Sequence, residues 1–307
     1  AAIWHNLVTV QRMAATFSKT KRILKDFQPD VIVGTGGYAS FPALKMGAKL
    51  GIPTCVHESN AVPGLTTKLV ARTASRVMVS FESSREHYPE PEKVLLTGTP
   101  VREEFLFAKR QEARQALGLG DEPLVVSCWG SLGAREMNKK IAQFMKCECE
   151  DNTPFHHIHA TGSFGWRWMP EYVKDLGVDL EKHPSIDMRE YIFNMPTCMA
   201  AADLIICRAG AATISEVCAS ALPCIMVPSP NVTNNHQEKN AMVLQGRGAA
   251  VVVPEAGCSG KLLFDTAKEI LTDPARTKSM RQAASSLAVV DSAQRIYETA
   301  LELIQSR

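Results

Sequence analysis

The sequence predicts an α/β protein built from two doubly wound, parallel-sheet halves, and three observations carry that prediction. From Pro29 onward, short apolar runs of strand length alternate with segments of helical spacing, the pattern of parallel strands joined by crossover helices. The chain has 307 residues, too many for one small core and suited to two domains of roughly 100–200 residues each. Glycine-rich and polar turns follow the strands in both halves, where open α/β sheets bind their ligands.

Composition narrows the class. At 45% hydrophobic and 21% charged residues the chain is ordinary for a globular protein. A net charge of +2 gives no electrostatic footprint for nucleic acid. No apolar run approaches the roughly 18 residues needed to span a bilayer, and no signal peptide is visible. The nine cysteines are irregularly spaced. Cys55, Cys128, Cys207, Cys218 and Cys224 sit within apolar patterns, where a thiol behaves as a small hydrophobe. Cys147-Glu148-Cys149 lacks a second pair at zinc spacing, and His156, His157 and His159 alternate along a strand-like run. These groups are read as reduced and non-ligating in a cytosolic protein, so no metal and no cofactor is expected.

Residues 1–28 place Ile3, Leu7, Val10, Ala14, Phe17, Ile23, Leu24 and Phe27 three to four apart, predicting one or two amphipathic helices. Their polar side is basic, with Arg12, Lys19, Lys21, Arg22 and Lys25 against Asp26. A solvated face and an anionic membrane surface both fit it. Strands are then expected at 31–33, 54–57, 77–79 and 94–96, with helices at 42–50 and 65–74. Pro42 is expected in the first turn of its helix. Gly98-Thr99-Pro100-Val101-Arg102 breaks the alternation, so the first domain is assigned residues 1–102 and the second 103–290. In the second, strands are expected at 124–127, 155–160, 204–207, 224–227 and 250–253, with helices from Arg135 to about Lys146 and from His236. Asp291-Ser292 is a plausible N-cap for a last helix over 293–304.

The stretch Arg208-Ala209-Gly210-Ala211-Ala212-Thr213-Ile214-Ser215-Glu216 concentrates the chemistry. It joins the apolar strand Leu204–Cys207 to a helix of small residues, leaving backbone N–H groups at a helix N-terminus, where an anion is favoured. Glu216 follows within reach of a hydroxyl pair. Taken alone, the stretch reads equally as a tight strand-to-helix turn or as a phosphate turn. Six further turns fall at strand ends: Gly36–Tyr38, Glu58–Asn60, Arg102, Gly130–Gly133, Ile192–Asn194 and His236–Asn240. None ends in Gly-Lys-Ser/Thr, none completes a dinucleotide fingerprint, and no Ser-His-Asp elbow appears.

With those residues in hand, the chain resembles the MurG family of glycosyltransferases. Gly34–Tyr38, His57-Glu58-Ser59-Asn60 with Pro63-Gly64, and Gly98–Arg102 are similar to the amino-terminal half of that family. Gly130-Ser131-Leu132-Gly133-Ala134-Arg135, Arg208–Glu216 and His236–Ala241 are similar to its carboxyl-terminal half, in the same order. The resemblance implies the GT-B architecture, two Rossmann-like domains facing a cleft, with the last helix (291–307) packing back on the first. It implies transfer of N-acetylglucosamine from UDP-N-acetylglucosamine to lipid I, giving lipid II of peptidoglycan at the cytoplasmic face of the membrane, by inversion and without a metal. Carried over residue by residue, Asn60 would contact the donor sugar and Arg102 would approach the uracil. Ser131 would bond the diphosphate, and Ile192 would meet the uracil through its backbone. Ala211, Ala212 and Thr213 would surround the diphosphate and sugar, Glu216 would take the ribose hydroxyls, and Gln237 the sugar hydroxyls. Tyr38 is either an acceptor contact or a packed loop ring, and His57 is expected to hydrogen-bond its loop.

Two departures stand out. The family's first glycine turn, which ends in histidine, and the βα unit after it amount to about 60–70 residues, and no match for them precedes Pro29. That histidine is a candidate base, so the first domain is expected to be incomplete and the chain a fragment with impaired activity. Trp129 stands where the family usually has a small residue. A UDP-sugar epimerase, a diacylglycerol glycosyltransferase and a non-catalytic nucleotide-sugar binder are the rival readings.

Overall fold

The computed structural model describes residues 2–151 and 155–306, with side chains from Arg12 onward. The chain divides into two compact units, one of residues 1–100 with 291–307 and one of residues 101–290.

The first unit opens on α1 (Ala2–Phe27), a single helix. Of its expected apolar positions, Ile3, Leu7 and Val10 lie outside the described side chains. Leu24 is buried and Phe17 half-buried, meeting Met46, Ile52 and the Phe41 ring. Ile23 and Phe27 are instead 52% and 78% exposed, so the apolar stripe is only partly used. Four parallel strands follow, β1 (Ile32–Gly34), β2 (Thr54–Glu58), β3 (Arg76–Val79) and β4 (Val94–Leu96), paired in chain order. Period-two alternation sends their side chains to both faces. Val56, Val77 and Val79 pack with Leu44 of α2 (Gly37–Lys49) and with Val70 and Ala71 of α3 (Leu65–Ala71). Cys55 and Met78 point the other way and meet Leu303, carried by the last helix (Ser292–Gln305). Helix α2 begins five residues before Pro42. Gly36 and Gly37 take φ of 79° and 73°, which only glycine adopts cheaply, and so turn the chain early. At the last helix Asp291 occupies the cap position, yet its carboxylate binds Arg295 Nε at 2.8 Å and caps no backbone N–H.

The second unit carries the short helices α4 (Glu103–Phe107) and α5 (Arg110–Ala116), then six parallel strands. These are β5 (Leu124–Cys128), β6 (His156–Ala160), β7 (Ile186–Arg189), β8 (Leu204–Cys207), β9 (Cys224–Met226) and β10 (Ala250–Val252). The sheet order is β10-β9-β8-β5-β6-β7, which counted within the unit is the doubly wound order 3-2-1-4-5-6. Both faces are covered. Phe144, Met145 and Ile141 of α6 (Arg135–Asp151) pack with Leu263, Phe264 and Ile270 of α11 (Gly260–Leu271) over Val125, Leu204, Ile206 and Ile225. The unit also carries α7 (Met169–Asp175), α8 (Met195–Ala201), α9 (Ala211–Ala219), α10 (His236–Gly246) and α12 (Pro274–Ser286), and α5 and α12 are fastened to the sheet through Asp203. That carboxylate accepts from Arg110, Arg114 and Arg281 and from the Leu124 N–H. No helix among the described residues is long and apolar enough to cross a membrane.

Candidate functional site

The order of the second sheet reverses between the paired central strands β5 and β8, and the connections that leave them in opposite directions open a crevice at their carboxyl ends. A cleft of about 680 Å³ opens there. Its lining brings together Arg102, Ser131, Ile192, Thr213, Glu216 and Gln237, which come from five separate stretches of the sequence. Ala211 and Ala212 sit beside Thr213 in the first turn of α9, behind its N-cap Gly210. Asn60 belongs to the first unit.

Each group has a definable chemical capacity. Gly210 is extended (φ −67°, ψ 143°) and α9 starts abruptly after it, with Gly210 C=O accepting from Ile214 N at 2.9 Å. The backbone N–H groups of Ala211, Ala212 and Thr213 are therefore the open donors of a helix N-terminus, directed to an anion. Glu216 is half-buried, and burial pushes its carboxyl above the ordinary value of 4.5 while Arg102 pulls it back down. A desolvated carboxylate that still faces a cleft is suited to accept from two adjacent hydroxyls. Gln237 Oε1 accepts from Ser229 N at 2.9 Å, which leaves its NH₂ as the group that donates into the cleft. Ser131 is exposed on a turn between Gly130 (φ 85°) and Gly133 (φ 76°). Ile192 is 2% exposed, so any role in the cleft falls to its backbone.

The rim holds groups that sequence reading passed over. Phe105, Tyr191 and Phe193 line the cleft, and Phe193 is 86% exposed with Tyr191 edge-on at 5.0 Å. Arg102 lies over the Phe105 ring at 5.1 Å. Trp129 has a structural reason: it is 5% exposed and its ring lies under the Arg208 guanidinium at 5.7 Å. That guanidinium also donates to the carbonyls of Val227 and Pro228 and pairs with Glu255 at 2.6 Å. Arg208 is thereby pinned at the entrance to the Gly210 turn, with its charge largely committed. A signal existed in the unusual pairing of Trp129 with Arg208, but the two are joined only through the fold.

In the first unit the carboxylate of buried Glu58 organises the Asn60 loop. It accepts from Asn60 N, Asn60 Nδ2 and Gly64 N at 3.1 Å each, and from Thr67 Oγ1 at 2.8 Å. His57 is buried and its Nε2 donates to Gly98 O at 2.7 Å, which commits that nitrogen to the loop. Tyr38 is 85% exposed, so it is not packed as a loop ring.

Comparison with known proteins agrees with this architecture. Residues 1–79 match the glycosyltransferase family 28 N-terminal domain and residues 124–296 the family 28 C-terminal domain. A relative from Acetivibrio thermocellus, the UDP-N-acetylglucosamine–N-acetylmuramyl-(pentapeptide) pyrophosphoryl-undecaprenol N-acetylglucosamine transferase, is 37% identical over 302 residues, which cover 98% of this chain and 80% of that protein. The crystal structure of MurG from Acinetobacter baumannii superposes with a TM-score of 0.78 at 26% identity, covering 96% of this chain and 80% of that one. A UDP-N-acetylglucosamine 2-epimerase structure from Listeria monocytogenes reaches a TM-score of 0.67 at 13% identity over 93% of this chain and 77% of that one, a likeness of fold alone. The chain belongs to glycosyltransferase family 28, and within it to the MurG family of N-acetylglucosamine transferases with the GT-B fold.

Proposed function

We propose that this protein is an inverting hexosyltransferase that moves N-acetylglucosamine from UDP to the muramoyl hydroxyl of lipid I, giving lipid II. The observation that carries the donor reading is Glu216, a half-buried carboxylate facing a cleft whose neighbouring turn is a helix N-terminus. In this reading the uracil lies against the Ile192 backbone near Arg102, and Glu216 takes both ribose hydroxyls. Ser131 and the N–H groups of Ala211, Ala212 and Thr213 hold the diphosphate, and the Gln237 amide donates to a sugar hydroxyl. Asn60 is assigned to sugar recognition from the family resemblance, supported by the rigid loop that Glu58 gives it.

The chemistry is a direct displacement. The acceptor oxygen forms a bond to the anomeric carbon as the bond from that carbon to the β-phosphate oxygen breaks. The hydroxyl proton passes to a base and UDP departs with the electron pair. Negative charge grows on the leaving diphosphate, where preorganised N–H donors act most strongly because they need no reorganisation. Gly210 to Thr213 and the Ser131 turn are the groups placed to do this. The basic face of α1, with exposed Arg12, Lys19, Lys21, Arg22 and Lys25 beside exposed Ile23 and Phe27, fits an anionic membrane surface.

The test is turnover of a soluble lipid I analogue with UDP-N-acetylglucosamine labelled in the sugar. The expected product is a β-linked disaccharide with UDP released. Epimerised sugar without acceptor consumption, or transfer to diacylglycerol in preference to lipid I, would overturn the proposal.

A further inference from the structure

Under the cleft of the second unit lies a line of buried polar groups that the transfer chemistry does not use. Glu148 of α6 meets His157 Nδ1 at 2.9 Å, and His157 Nε2 meets Ser127 Oγ at 2.7 Å. Ser127 Oγ meets His159 Nδ1 at 2.7 Å, and His159 Nε2 meets Asn138 Oδ1 at 3.3 Å. Asn138 Nδ2 donates to Thr161 O at 2.7 Å. Ser127, Asn138, His157 and His159 are 0% exposed and Glu148 is 6% exposed, with Phe144 edge-on to His157 at 5.1 Å. Such a network is costly unless every member is satisfied, so its retention asks for a reason.

Its hydrogen-bond polarity turns on which His159 nitrogen carries the proton. A carbonyl accepts only, so Asn138 must turn its NH₂ to Thr161 O and its Oδ1 to His159. Burial together with the neighbouring His157 pushes the His159 imidazole well below its ordinary 6.5, so it is neutral and carries one ring proton. With that proton on Nε2 it donates to Asn138 Oδ1, and Ser127 Oγ donates to Nδ1. With it on Nδ1 it faces Ser127 Oγ and the Ser127 carbonyl 3.2 Å away, and Ser127 Oγ donates to His157 Nε2 instead. In both arrangements the contacts run unbroken from the Glu148–His157 pair to Thr161.

The end of the line touches the donor site. A Cβ on Gly133 would lie 2.0 Å from Thr161 O, and one on Gly162 would lie 2.2 Å from Gly133 N, so these backbones are in direct contact. Ser163 N also donates to Ser131 O at 3.3 Å. Displacing Thr161 by a few tenths of an ångström therefore displaces the turn that carries Ser131. We propose that Glu148, His157, Ser127, His159 and Asn138 are positioning residues, a buried hydrogen-bond chain that sets the Gly130–Gly133 turn and with it the seat of the donor's diphosphate. The inference rests on the reading of that turn as the diphosphate contact.

The experiment compares calorimetric dissociation constants of UDP and UMP for the full chain and four variants. Ser127→Ala and His157→Leu interrupt the chain, His157→Gln keeps a donor at the Nε2 position, and Ser131→Ala tests the turn itself. Ser127→Ala and His157→Leu are expected to weaken UDP by about 2- to 30-fold and UMP by less than about twofold, with His157→Gln near the unaltered protein. Loss of folded protein alone would lower the binding stoichiometry and leave both constants unchanged. If Ser131→Ala weakens UDP selectively and the other two do not, the positioning role is wrong. If Ser131→Ala weakens UDP no more than UMP, the reading of the turn falls and the inference with it. Nitrogen-15 spectra of the unaltered protein give an independent check: His159 should be a neutral imidazole held in one tautomer, and a freely interconverting mixture of tautomers would overturn the continuous chain.

Discussion

Replacing Glu216 by glutamine separates what the cleft does for the ligand from what it costs the fold. The side chain is half-buried and burial raises its carboxyl pKa, so the ionised form is disfavoured by the folded state. For a group shifted upward, the stability that the fold enjoys below the ordinary value of 4.5 is lost as pH rises through the folded-state pKa. At neutral pH the carboxylate is thus a burden, and Glu216→Gln is expected to leave the melting temperature equal or raised. Binding moves the opposite way. Two ribose hydroxyls on a carboxylate are charge-assisted bonds, and a neutral amide oxygen replaces them poorly. Hydrogen bonds to charged groups contribute about 1.5–3 kcal/mol, so UDP should bind about 10- to 150-fold more weakly. Calorimetry with UDP and with 2′,3′-dideoxy-UDP checks this, since the dideoxy nucleotide should not distinguish the two proteins. The affinity ratio of the two proteins for UDP also cancels the titration of the phosphate itself. It should shrink toward unity as pH falls through the raised pKa of Glu216. Equal weakening of both nucleotides, or none, would refute the assignment of Glu216 to the ribose.

Three further outcomes follow from the geometry. Gly133→Ala combines φ of 76° with a Cβ 2.0 Å from Thr161 O, and should cost about 3 kcal/mol or more in urea denaturation while abolishing UDP binding. Glu58→Gln turns an NH₂ toward donors that need an acceptor, at Gly64 N and Thr67 Oγ1 or at Asn60; a loss of about 1–3 kcal/mol is expected by the same measurement, with UDP affinity unchanged. Asp203→Asn leaves Arg110, Arg114 and Arg281 crowded without their shared anion; stability should fall by roughly 3–5 kcal/mol, partly recovered when Arg281 is also replaced, as a thermal-melt double-mutant cycle would report.

The βα alternation was legible because it depends on local pattern, and nine of the ten strands lie where apolar runs of strand length predicted them, save for shifts of a residue or two; β7 (Ile186-Asp187-Met188-Arg189) was missed because it carries two charged residues and no apolar run. Helix ends were harder. Helix α6 continues to Asp151, past the expected stop near Lys146, because Cys147-Glu148-Cys149-Glu150 holds no breaker and Glu148 has a partner, His157, that only the fold supplies. The same cause hid most of the polar architecture. His157 and His159 were readable as strand residues, yet their partners Glu148, Ser127 and Asn138 come from other elements. Trp129 looked like an anomaly until Arg208, remote in sequence, was found on its face. Six of the nine residues that the family resemblance assigns to the donor line one cleft, where the turns at the strand ends of a doubly wound sheet meet. Which way Gln237 points its amide, and that Glu216 is desolvated, depend on packing that spacing does not encode.

The most direct test of the account is a crystal structure with UDP-N-acetylglucosamine bound. The account predicts the uracil on the Ile192 backbone, the ribose hydroxyls on Glu216, and the diphosphate between Ser131 and the N–H groups of Ala211 to Thr213. A nucleotide lying outside this cleft, or reversed so that its phosphates face Ile192, would contradict it.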